Sequence, residues 1–285
     1  MTQALMTETR EEKIEGSGGL ELLVRSWRPA GTPRGVVMIV PGFNAHGGRY
    51  ADVAEQLTKS GLAVYAIDLR GRGQSDGERF FVEEFSDYVS DVEKMAGVVK
   101  ARASGLPVFL LGHSAGGVVS CLYALAHQDD LAGLICESFA FQVPAPDFAL
   151  AVLKGLSHVA PHAHVLKLNN EDFSRDPDVV QTMNQDPLIA HEVQPTMTVA
   201  AMVRADERLK QEFPLIRLPL LILHGTEDRA TRPAGSQLFY DRAGSADKTL
   251  KLYDGFVHDL LHDIGRELVM ADVRDWLEAR LPKRG

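Results

Sequence analysis

The chain has little cysteine, no long apolar run and no leader-like start. Its 285 residues contain two cysteines, Cys121 and Cys136, each within an apolar segment. Two cysteines cannot form the disulfide framework of a small secreted domain, and they are most simply core residues. No apolar run approaches the roughly 20 residues of a membrane-spanning helix, and residues 1–16 lack the apolar core of a secretory signal. We therefore expect a reduced, cytoplasmic, soluble protein.

Basic residues are also in short supply. The 39 acidic residues outnumber the 30 basic ones, which gives a formal net charge of −9. Without a basic run, nucleic acid is not an expected partner. The acidity argues against electrostatic docking on an anionic membrane, but not against docking through apolar side chains.

Metal and nucleotide signatures are missing. His158, His162 and His164 have no acidic or cysteine ligand cluster beside them, so we expect no metal. The loop 71–77 is not a dinucleotide-binding fingerprint, because Asp76 takes the place of the third glycine. We therefore expect no cofactor.

Apolar strands alternate with amphipathic helices along most of the chain. The strands are apolar throughout, which favours a parallel sheet covered on both faces. An expected hairpin, 8–15 and 20–28, precedes them and brings the total to eight strands. The other six are expected at 36–40, 62–69, 108–111, 131–137, 218–224 and 249–253. The prediction is an α/β fold with an eight-stranded, mostly parallel sheet flanked by helices.

Residues 141–214 interrupt this alternation. They lie between two sheet strands, prolines punctuate them, and they contain helical patches but no convincing strand. We expect a core of residues 1–140 and 215–285, with 141–214 as a helical cap inserted over the sheet. One apolar patch in this segment either packs inside the cap or forms an acyl-chain wall or membrane-touching face beside a site. The residues of that patch that we propose to bind substrate are Phe148, Leu150, Val152 and Leu153.

The segment around Ser114 has the pattern of a nucleophile. The apolar run 108–111 predicts a buried strand, 117–125 predicts a helix, and Gly-His-Ser-Ala-Gly stands between them at 112–116. A strand, a sharp turn with G-x-S-x-G and a helix form a nucleophile elbow, which exposes the serine hydroxyl at the strand end. The flanking glycines leave room for neighbouring backbone. Ser114 is therefore the predicted nucleophile.

A serine hydroxyl needs a base within hydrogen-bond reach, and the base needs a carboxylate that orients it. Behind a nucleophile elbow the acid and then the histidine follow in chain order, on loops at the carboxyl ends of later strands. The loop after 218–224 carries Asp228, and the loop after 249–253 carries His258. We predict Asp228 as the acid and His258 as the base.

Other residues near these positions are alternatives. His262 is a rival base, and Glu227 and Glu137 are rival acids, since both follow expected strands. Asp254 is more simply a turn former. His113 adjoins the predicted nucleophile in sequence, so its side chain is expected to point away from the hydroxyl and to be structural.

The tetrahedral intermediate of acyl transfer needs backbone N–H donors. One is the residue after the nucleophile, Ala115, and the other comes from the loop Pro41-Gly42-Phe43 after the third strand. Backbone donors do not depend on the side chain, so Phe43 need not resemble any particular residue.

With these residues placed, the chain resembles the α/β-hydrolase superfamily and, within it, the monoglyceride lipase group, also described as lysophospholipase-like or serine aminopeptidase-type. The resemblance covers about residues 20–281. It is carried by the segments GGRYADVAEQL, RGRGQSDGER, LPVFLLGHSAGG, FSRDPDVV, NQDPLI, LPLLILHGTEDR and ADKTLKLYDGFVHDLLHD. It implies Ser114, Asp228 and His258 as the triad, Phe43 and Ala115 as oxyanion donors, and a helical cap that admits one acyl chain.

Three departures from the family pattern leave every catalytic group in place. Pro41 stands where the family usually has histidine, Ala115 where it often has methionine, and Arg72 where it has histidine. The first two alter the rim of the expected pocket.

The expected function is a serine esterase or lipase that cleaves monoacylglycerols or similar single-chain fatty esters through an acyl-enzyme. Its partner is then a small lipid ester, with transient membrane contact through the cap. A carboxylesterase or lysophospholipase with a different alcohol group is the alternative, and a non-catalytic ligand-binding member of the fold is less favoured. The sequence leaves the oligomeric state open.

Overall fold

The computed structural model describes residues 8–141 and 147–283, with side chains described up to residue 141 and from residue 151 onward. A single sheet of eight strands organises this part of the chain. In spatial order its strands are β1 (Glu8–Glu15), β2 (Glu21–Arg28), β4 (Leu62–Ile67), β3 (Gly35–Val40), β5 (Val108–His113), β6 (Gly133–Glu137), β9 (Leu220–Gly225) and β10 (Lys248–Tyr253). The hairpin β1–β2 and the β2–β4 pairing are antiparallel, and the remaining pairings are parallel. The predicted eight-stranded α/β fold is confirmed.

Both faces of the sheet are buried, as its continuous apolar strands predict. Along β3, Val36, Met38 and Val40 enter one hydrophobic cluster. The alternate residues Val37 and Ile39 enter the cluster on the opposite face. Successive side chains of a strand point to opposite faces, so a strand buried on both faces must be apolar at every position.

Helices cover the two faces. α1 (Ala51–Lys59) and α8 (Arg266–Glu278) contribute to one hydrophobic cluster. α2 (Phe85–Arg102), α3 (Ala115–His127) and α7 (Pro233–Arg242) contribute to the other. The sheet is thus a layer between two helical layers, the arrangement expected for a parallel sheet.

The segment 141–214, called the insertion below, lies between β6 and β9. Its elements are α4 (Asp147–Ser157), β7 (His164–Leu166), α5 (Pro177–Gln185), β8 (Gln194–Pro195) and α6 (Thr196–Glu212). Among the described residues, the insertion contributes no strand to the eight-stranded sheet. Part of α6 enters the same hydrophobic cluster as α3, so the end of the insertion packs on the helical layer of the core.

The expectation that the insertion contains no strand is wrong. β7 and β8 form a two-stranded antiparallel sheet in which His164 lies opposite Pro195. The two strands are three and two residues long, too short for alternation of polar and apolar residues to show. β8 also contains a proline, which normally argues against a strand.

This topology brings several loops to one edge of the sheet. β5, β6, β9 and β10 are neighbours and run parallel. Their carboxyl ends therefore lie side by side, and the loops that follow them form the crevice in which α/β sheets bind ligands.

Candidate active site

Ser114 stands at a strained turn between β5 and α3. Its backbone has φ 53° and ψ −121°, outside the conformations that residues other than glycine normally adopt. Its N–H donates to the carbonyl of Glu137 at 2.9 Å, and its own carbonyl accepts from Gly117 N–H at 2.9 Å. The structure therefore holds this residue in the geometry of a nucleophile elbow.

Neighbouring atoms approach the two glycines of the motif too closely to leave space for a side chain. A Cβ on Gly116 would lie 2.1 Å from the carbonyl oxygen of Val40, and one on Gly112 would lie 2.5 Å from Ser120 Oγ. Neither distance is tolerated, so only glycine fits at either position.

The structure brings His258 and Asp228 together from two different loops. His258 Nδ1 lies 2.7 Å from Asp228 Oδ2, and both side chains are buried. His258 Nε2 is buried and has no hydrogen-bond partner among the described residues. An imidazole oriented by a carboxylate through Nδ1 presents Nε2 as the proton acceptor.

Asp228 is held by more than the predicted base. Its Oδ1 accepts from the backbone N–H groups of Ala230 and Thr231 at 2.8 and 2.9 Å, and Oδ2 accepts from the Thr231 hydroxyl at 2.8 Å. His224 Nε2 lies 3.1 Å from the same Oδ2. Burial alone would raise the pKa of Asp228, but His258 and His224 lower it far below its usual range. The carboxylate therefore stays ionised.

His224 and Thr231 were not among the predicted site residues. His224 ends the apolar run of β9 four residues before Asp228, and its Nδ1 is 2.7 Å from Ser236 Oγ. A polar residue that closes an otherwise apolar strand next to a predicted catalytic loop is the sequence signal that could have identified it.

The loop after β3 lies against the elbow, where the oxyanion donors are expected. A Cβ on Gly42 would fall 2.8 Å from Ser114 Cβ and 3.3 Å from the Ala115 nitrogen. Ala115 is the first residue of α3, and the first N–H groups of a helix have no partner inside it. Phe43, the next residue of the loop, is buried. The arrangement has the two segments that an oxyanion hole requires.

The rivals lie elsewhere. His262 Nδ1 is 2.7 Å from Asp259 Oδ1, and its Nε2 is 2.9 Å from the carbonyl of Arg49. Burial alone would lower the pKa of His262, but Asp259 and Asp52 raise it to about 10. An imidazole that is already charged at neutral pH cannot accept a proton, so this geometry disfavours His262 as the base.

The alternative acids do not take the place of Asp228, which is the partner of His258 Nδ1. Glu227 is exposed, and Asp254 is exposed and accepts from the Thr226 hydroxyl at 3.3 Å, as a turn residue does. Glu137 is fully buried and lies near His113 and Asp259.

One group of side chains among the described residues has atoms of the kind that bind metal ions, close to one another. A ring nitrogen of His113 and carboxylate oxygens of Glu137 and Asp259 lie within 4.8 Å of one another, all buried. The backbone N–H groups of Leu260 and Leu261 also face the Glu137 carboxyl group. Their positive ends would repel a cation, and Asp259 already has two cationic partners in His262 and Arg49. The group does not suit a metal ion.

Part of the insertion contacts the predicted base. The Phe173 ring meets the His258 ring edge-on at 4.8 Å, and the Phe173 carbonyl accepts from Asp259 N–H at 2.7 Å. Phe173 was not singled out in the sequence, although it opens one of the segments that carry the family resemblance.

The insertion is also bound to the loop that precedes α1. Asn44 Nδ2 donates to Asn170 Oδ1 at 2.9 Å, and His46 Nε2 lies 2.9 Å from Asp186 Oδ2. Arg72, fully buried, forms an ion pair with Glu192 of the insertion.

Arg72 also contacts a second residue of the insertion and the loop after β3. It donates to Gln194 Oε1 at 2.9 Å, and its guanidinium lies over the Phe43 ring, 4.3 Å from the centroid. The segments 43–46 and 72 thus connect the elbow side of the site to the insertion.

The predicted substrate-binding residues all fall on α4. Phe148 and Leu150 lie outside the residues whose side chains are described. Leu153 is half-buried, and Val152 is 66% exposed. Their proposed contact with an acyl chain stays a prediction.

Within the part of the chain that is described, no helix is both long and apolar enough to span a bilayer.

Comparisons with known proteins agree over nearly the whole chain. A family model described as serine aminopeptidase, S33, matches residues 31–265. A monoacylglycerol lipase of Mycolicibacterium smegmatis is 34% identical over 282 residues, covering 97% of this chain and 100% of that protein. The human monoglyceride lipase is 33% identical over 277 residues, covering 95% of this chain and 91% of the relative.

A solved structure gives the same picture. The monoacylglycerol lipase of Paleococcus ferrophilus matches with a TM-score of 0.80 at 29% identity, covering 96% of this chain and 99% of that chain. The similarity therefore includes the insertion as well as the sheet.

Proposed function

Because the chain belongs to the serine aminopeptidase S33 family and is similar to monoacylglycerol lipases over nearly its full length, we propose that it cleaves monoacylglycerols with Ser114, His258 and Asp228 as its triad. It is a serine hydrolase of carboxylic esters of single-chain lipids. The observation that carries the proposed triad is the buried His258–Asp228 pair, with Nδ1 bound to the carboxylate and Nε2 unpartnered.

The proposed reaction begins when Ser114 Oγ attacks the ester carbonyl and His258 Nε2 takes the hydroxyl proton. The backbone N–H groups of Phe43 and Ala115 stabilise the oxyanion of the tetrahedral intermediate. The intermediate collapses to an acyl-enzyme, and His258 gives the proton to the departing glycerol oxygen. A water molecule, deprotonated by His258, then releases the fatty acid and restores Ser114.

Asp228 acts through the imidazole. By accepting from Nδ1 it fixes the tautomer in which Nε2 is the base, and its negative charge stabilises the imidazolium that forms. The depressed pKa of Asp228 keeps that charge in place at neutral pH.

The experiment that tests this proposal combines covalent labelling with turnover. We expect a fluorophosphonate probe to label wild-type protein at Ser114, and Ser114→Ala to lose both the label and nearly all hydrolysis of a monoacylglycerol. Ser120→Ala is the matched control, since Ser120 is a buried serine in α3, the helix that follows Ser114. Labelling that persists in folded Ser114→Ala, or turnover that survives it, would contradict the assignment.

A panel of esters decides the alcohol group. Monoacylglycerols, lysophospholipids and aryl esters that carry the same acyl chain separate a monoacylglycerol lipase from a lysophospholipase or a general carboxylesterase. We expect the largest kcat/KM for the monoacylglycerol. A folded wild-type protein that takes neither the label nor any ester would be a ligand-binding member of the fold.

We also propose that the insertion acts as a cap, and that its first helix makes transient contact with lipid surfaces. Three apolar side chains of this region are exposed to solvent, which supports the proposal: Val152 at 66%, Leu156 at 41% and Val159 at 83%. Apolar side chains that are close together in the chain and exposed to solvent suit a surface that meets lipid aggregates.

A further inference from the structure

Glu137 lies at the junction of the loops that form the proposed site. It is the last residue of β6, paired in register with His113 of β5 and Leu223 of β9. Its carbonyl oxygen accepts the N–H of Ser114 at 2.9 Å. One residue therefore binds the elbow through its main chain while its side chain lies in the interior beneath the site.

The Glu137 side chain faces the segment that follows His258. The backbone N–H groups of Leu260 and Leu261 approach its carboxyl group, and neither Glu137 oxygen has a hydrogen-bond partner at normal distance among the described residues. A carboxylate oxygen of Asp259 and a ring nitrogen of His113 lie within 4.8 Å of one of its oxygens. The His113 ring in turn lies 4.9 Å from the His258 ring. The carboxyl group thus supports from below the turn that carries the predicted base.

Among the described residues, the His262 cation lowers the pKa of Glu137, but burial and the charge of Asp259 raise it more. Asp259 takes the nearby positive groups, because it pairs with His262 and Arg49. Burial lowers the pKa of His113 to about 3, so this ring is neutral. The titratable and charged groups around the Glu137 carboxyl are His113 on β5, Tyr50 before α1, Tyr253 at the end of β10, and Asp259 and His262 in the loop after β10.

This balance decides the protonation state. Burial, followed by the negative charge of Asp259, raises the pKa of the Glu137 carboxyl well above its usual range. An ionised carboxyl here would be a second buried anion beside Asp259, which is strongly unfavourable. The neutral acid can accept from backbone N–H groups with one oxygen and still offer a proton with the other.

We propose that Glu137, as a neutral carboxyl group, is a positioning residue for His258. It holds the turn 259–261 against the end of β6 and so sets the position of the imidazole relative to Ser114. It touches neither substrate nor reacting atoms. The inference rests on the proposed function, because it takes His258 to be the base.

Two substitutions at this position separate shape and polarity from charge. Glu137→Gln keeps the volume and the oxygen acceptor and replaces the O–H donor of the neutral acid with an N–H donor, whereas Glu137→Leu removes the polar groups at similar size. Cys136→Ala is the matched control. Cys136 precedes Glu137 on β6, is buried, and packs in the hydrophobic cluster that α2, α3 and α7 cover. Each variant is checked for folding by thermal unfolding before kinetics.

For Glu137→Leu we expect kcat to fall by about tenfold to 100-fold with KM changed by less than about twofold, because a shift of about 1 Å in a catalytic group can cost that much. Glu137→Gln and Cys136→Ala should keep kcat within about threefold from about pH 6 to pH 9. Should Glu137→Leu fail to fold, Glu137→Ser takes its place with the same expected loss.

Two results would overturn the inference. A folded Glu137→Leu or Glu137→Ser with wild-type kcat would show that the side chain positions nothing. A folded Glu137→Gln that loses as much as Glu137→Leu would show that the negative charge, not the neutral acid, is required.

A spectroscopic measurement keeps this test independent of the proposed function. The downfield proton resonance of His258 Nδ1–H, bonded to Asp228, should be unchanged in Glu137→Gln and shifted or broadened in Glu137→Leu. If wild-type protein hydrolyses no ester, the proposed function fails, but the resonance still reports whether Glu137 positions the imidazole. If wild-type protein is active and the resonance is the same in all variants, only the inference about Glu137 fails.

Discussion

Two buried carboxyl groups at the carboxyl ends of neighbouring strands have opposite protonation states, and their environments explain the difference. Asp228 accepts hydrogen bonds from Ala230, Thr231 and His258, which stabilise its negative charge. Glu137 is buried beside the charge of Asp259, and the nearby cation His262 is paired with Asp259. Different environments push the pKa values of two titratable groups apart in this way. One site then contains both an anion and a neutral acid at the same pH.

The assignment of the acid is tested by Asp228→Asn. The amide keeps the size of the side chain but favours the wrong tautomer of His258, so we expect kcat to fall by about 10⁴-fold, as the same change does in a serine protease triad. Glu227→Gln is the control, since Glu227 is the exposed neighbour. Steady-state kinetics on a soluble ester measures both. A loss of less than tenfold in folded Asp228→Asn would assign the acid to another residue.

At the scale of residues, the sequence predicted the positions whose roles depend on local pattern. Ser114 is predicted by a turn of five residues, and Asp228 and His258 by their places after strands. The contact between Phe173 and His258 joins residues that are far apart in the chain, and no local pattern reports it. The protonation state of Glu137 likewise depends on which loops meet above β6.

At the scale of elements, one group of polar contacts that joins the insertion to the core lies around the loop after β3. Arg72 is central to them, because its guanidinium binds Glu192 and lies over the Phe43 ring. Both side chains of this ion pair are almost completely buried. A buried pair is costly to break, because removing one partner leaves the other as an uncompensated charge.

Arg72→Met should therefore lower the free energy of unfolding by about 3 to 5 kcal/mol. The double variant Arg72→Met with Glu192→Met should recover most of that loss, because it removes both charges at similar volume. Chemical denaturation measures these changes. We also expect kcat of the single variant to fall, since the Phe43 loop loses its packing partner.

The surface pair Arg208–Glu212 is the control, because it lies in the same insertion but is exposed. Arg208→Ala should change the free energy of unfolding by no more than about 0.5 kcal/mol. If Arg72→Met is as mild as Arg208→Ala, the buried pair does not hold the insertion to the core.

The elements differ in how far the sequence predicts them. The strands of the large sheet are five to eight residues long, the central ones mostly apolar, and all eight were predicted. β7 and β8 were missed because they are short and pair across the 27 residues between them. Their pairing depends on tertiary packing of the insertion, which propensity alone does not encode.

At the scale of the whole molecule, the insertion meets the site from more than one side. Asn170 binds Asn44 beside the elbow, Phe173 packs on His258, and Glu192 binds Arg72 behind Phe43. Because the insertion contacts the loops of both the predicted nucleophile and the predicted base, we propose that it covers Ser114. We infer that the site accepts one acyl chain and a small alcohol.

That inference predicts selectivity by substrate size. A triacylglycerol would have to place three chains around one carbonyl, and the insertion would clash with two of them. Each buried CH₂ of a single chain adds roughly 0.8 kcal/mol of binding energy. The value of kcat/KM should therefore rise with chain length until further CH₂ groups are no longer buried in the acyl-binding site. Binding of this uniform kind lowers KM more than it raises kcat, so the rise should be seen mainly in KM.

The measurement is hydrolysis of a medium- or long-chain monoacylglycerol and the matching triacylglycerol under the same detergent conditions. We expect kcat/KM for the monoacylglycerol to be well above that for the triacylglycerol, with an optimum in chain length across a series of monoacylglycerols. Arg72→Met provides an internal check, because loosening the insertion should narrow the difference between the two glycerides. Equal or greater activity of the wild-type protein on the triacylglycerol would mean that the insertion opens widely or does not roof Ser114. The proposed preference for monoacylglycerols would then have to be given up.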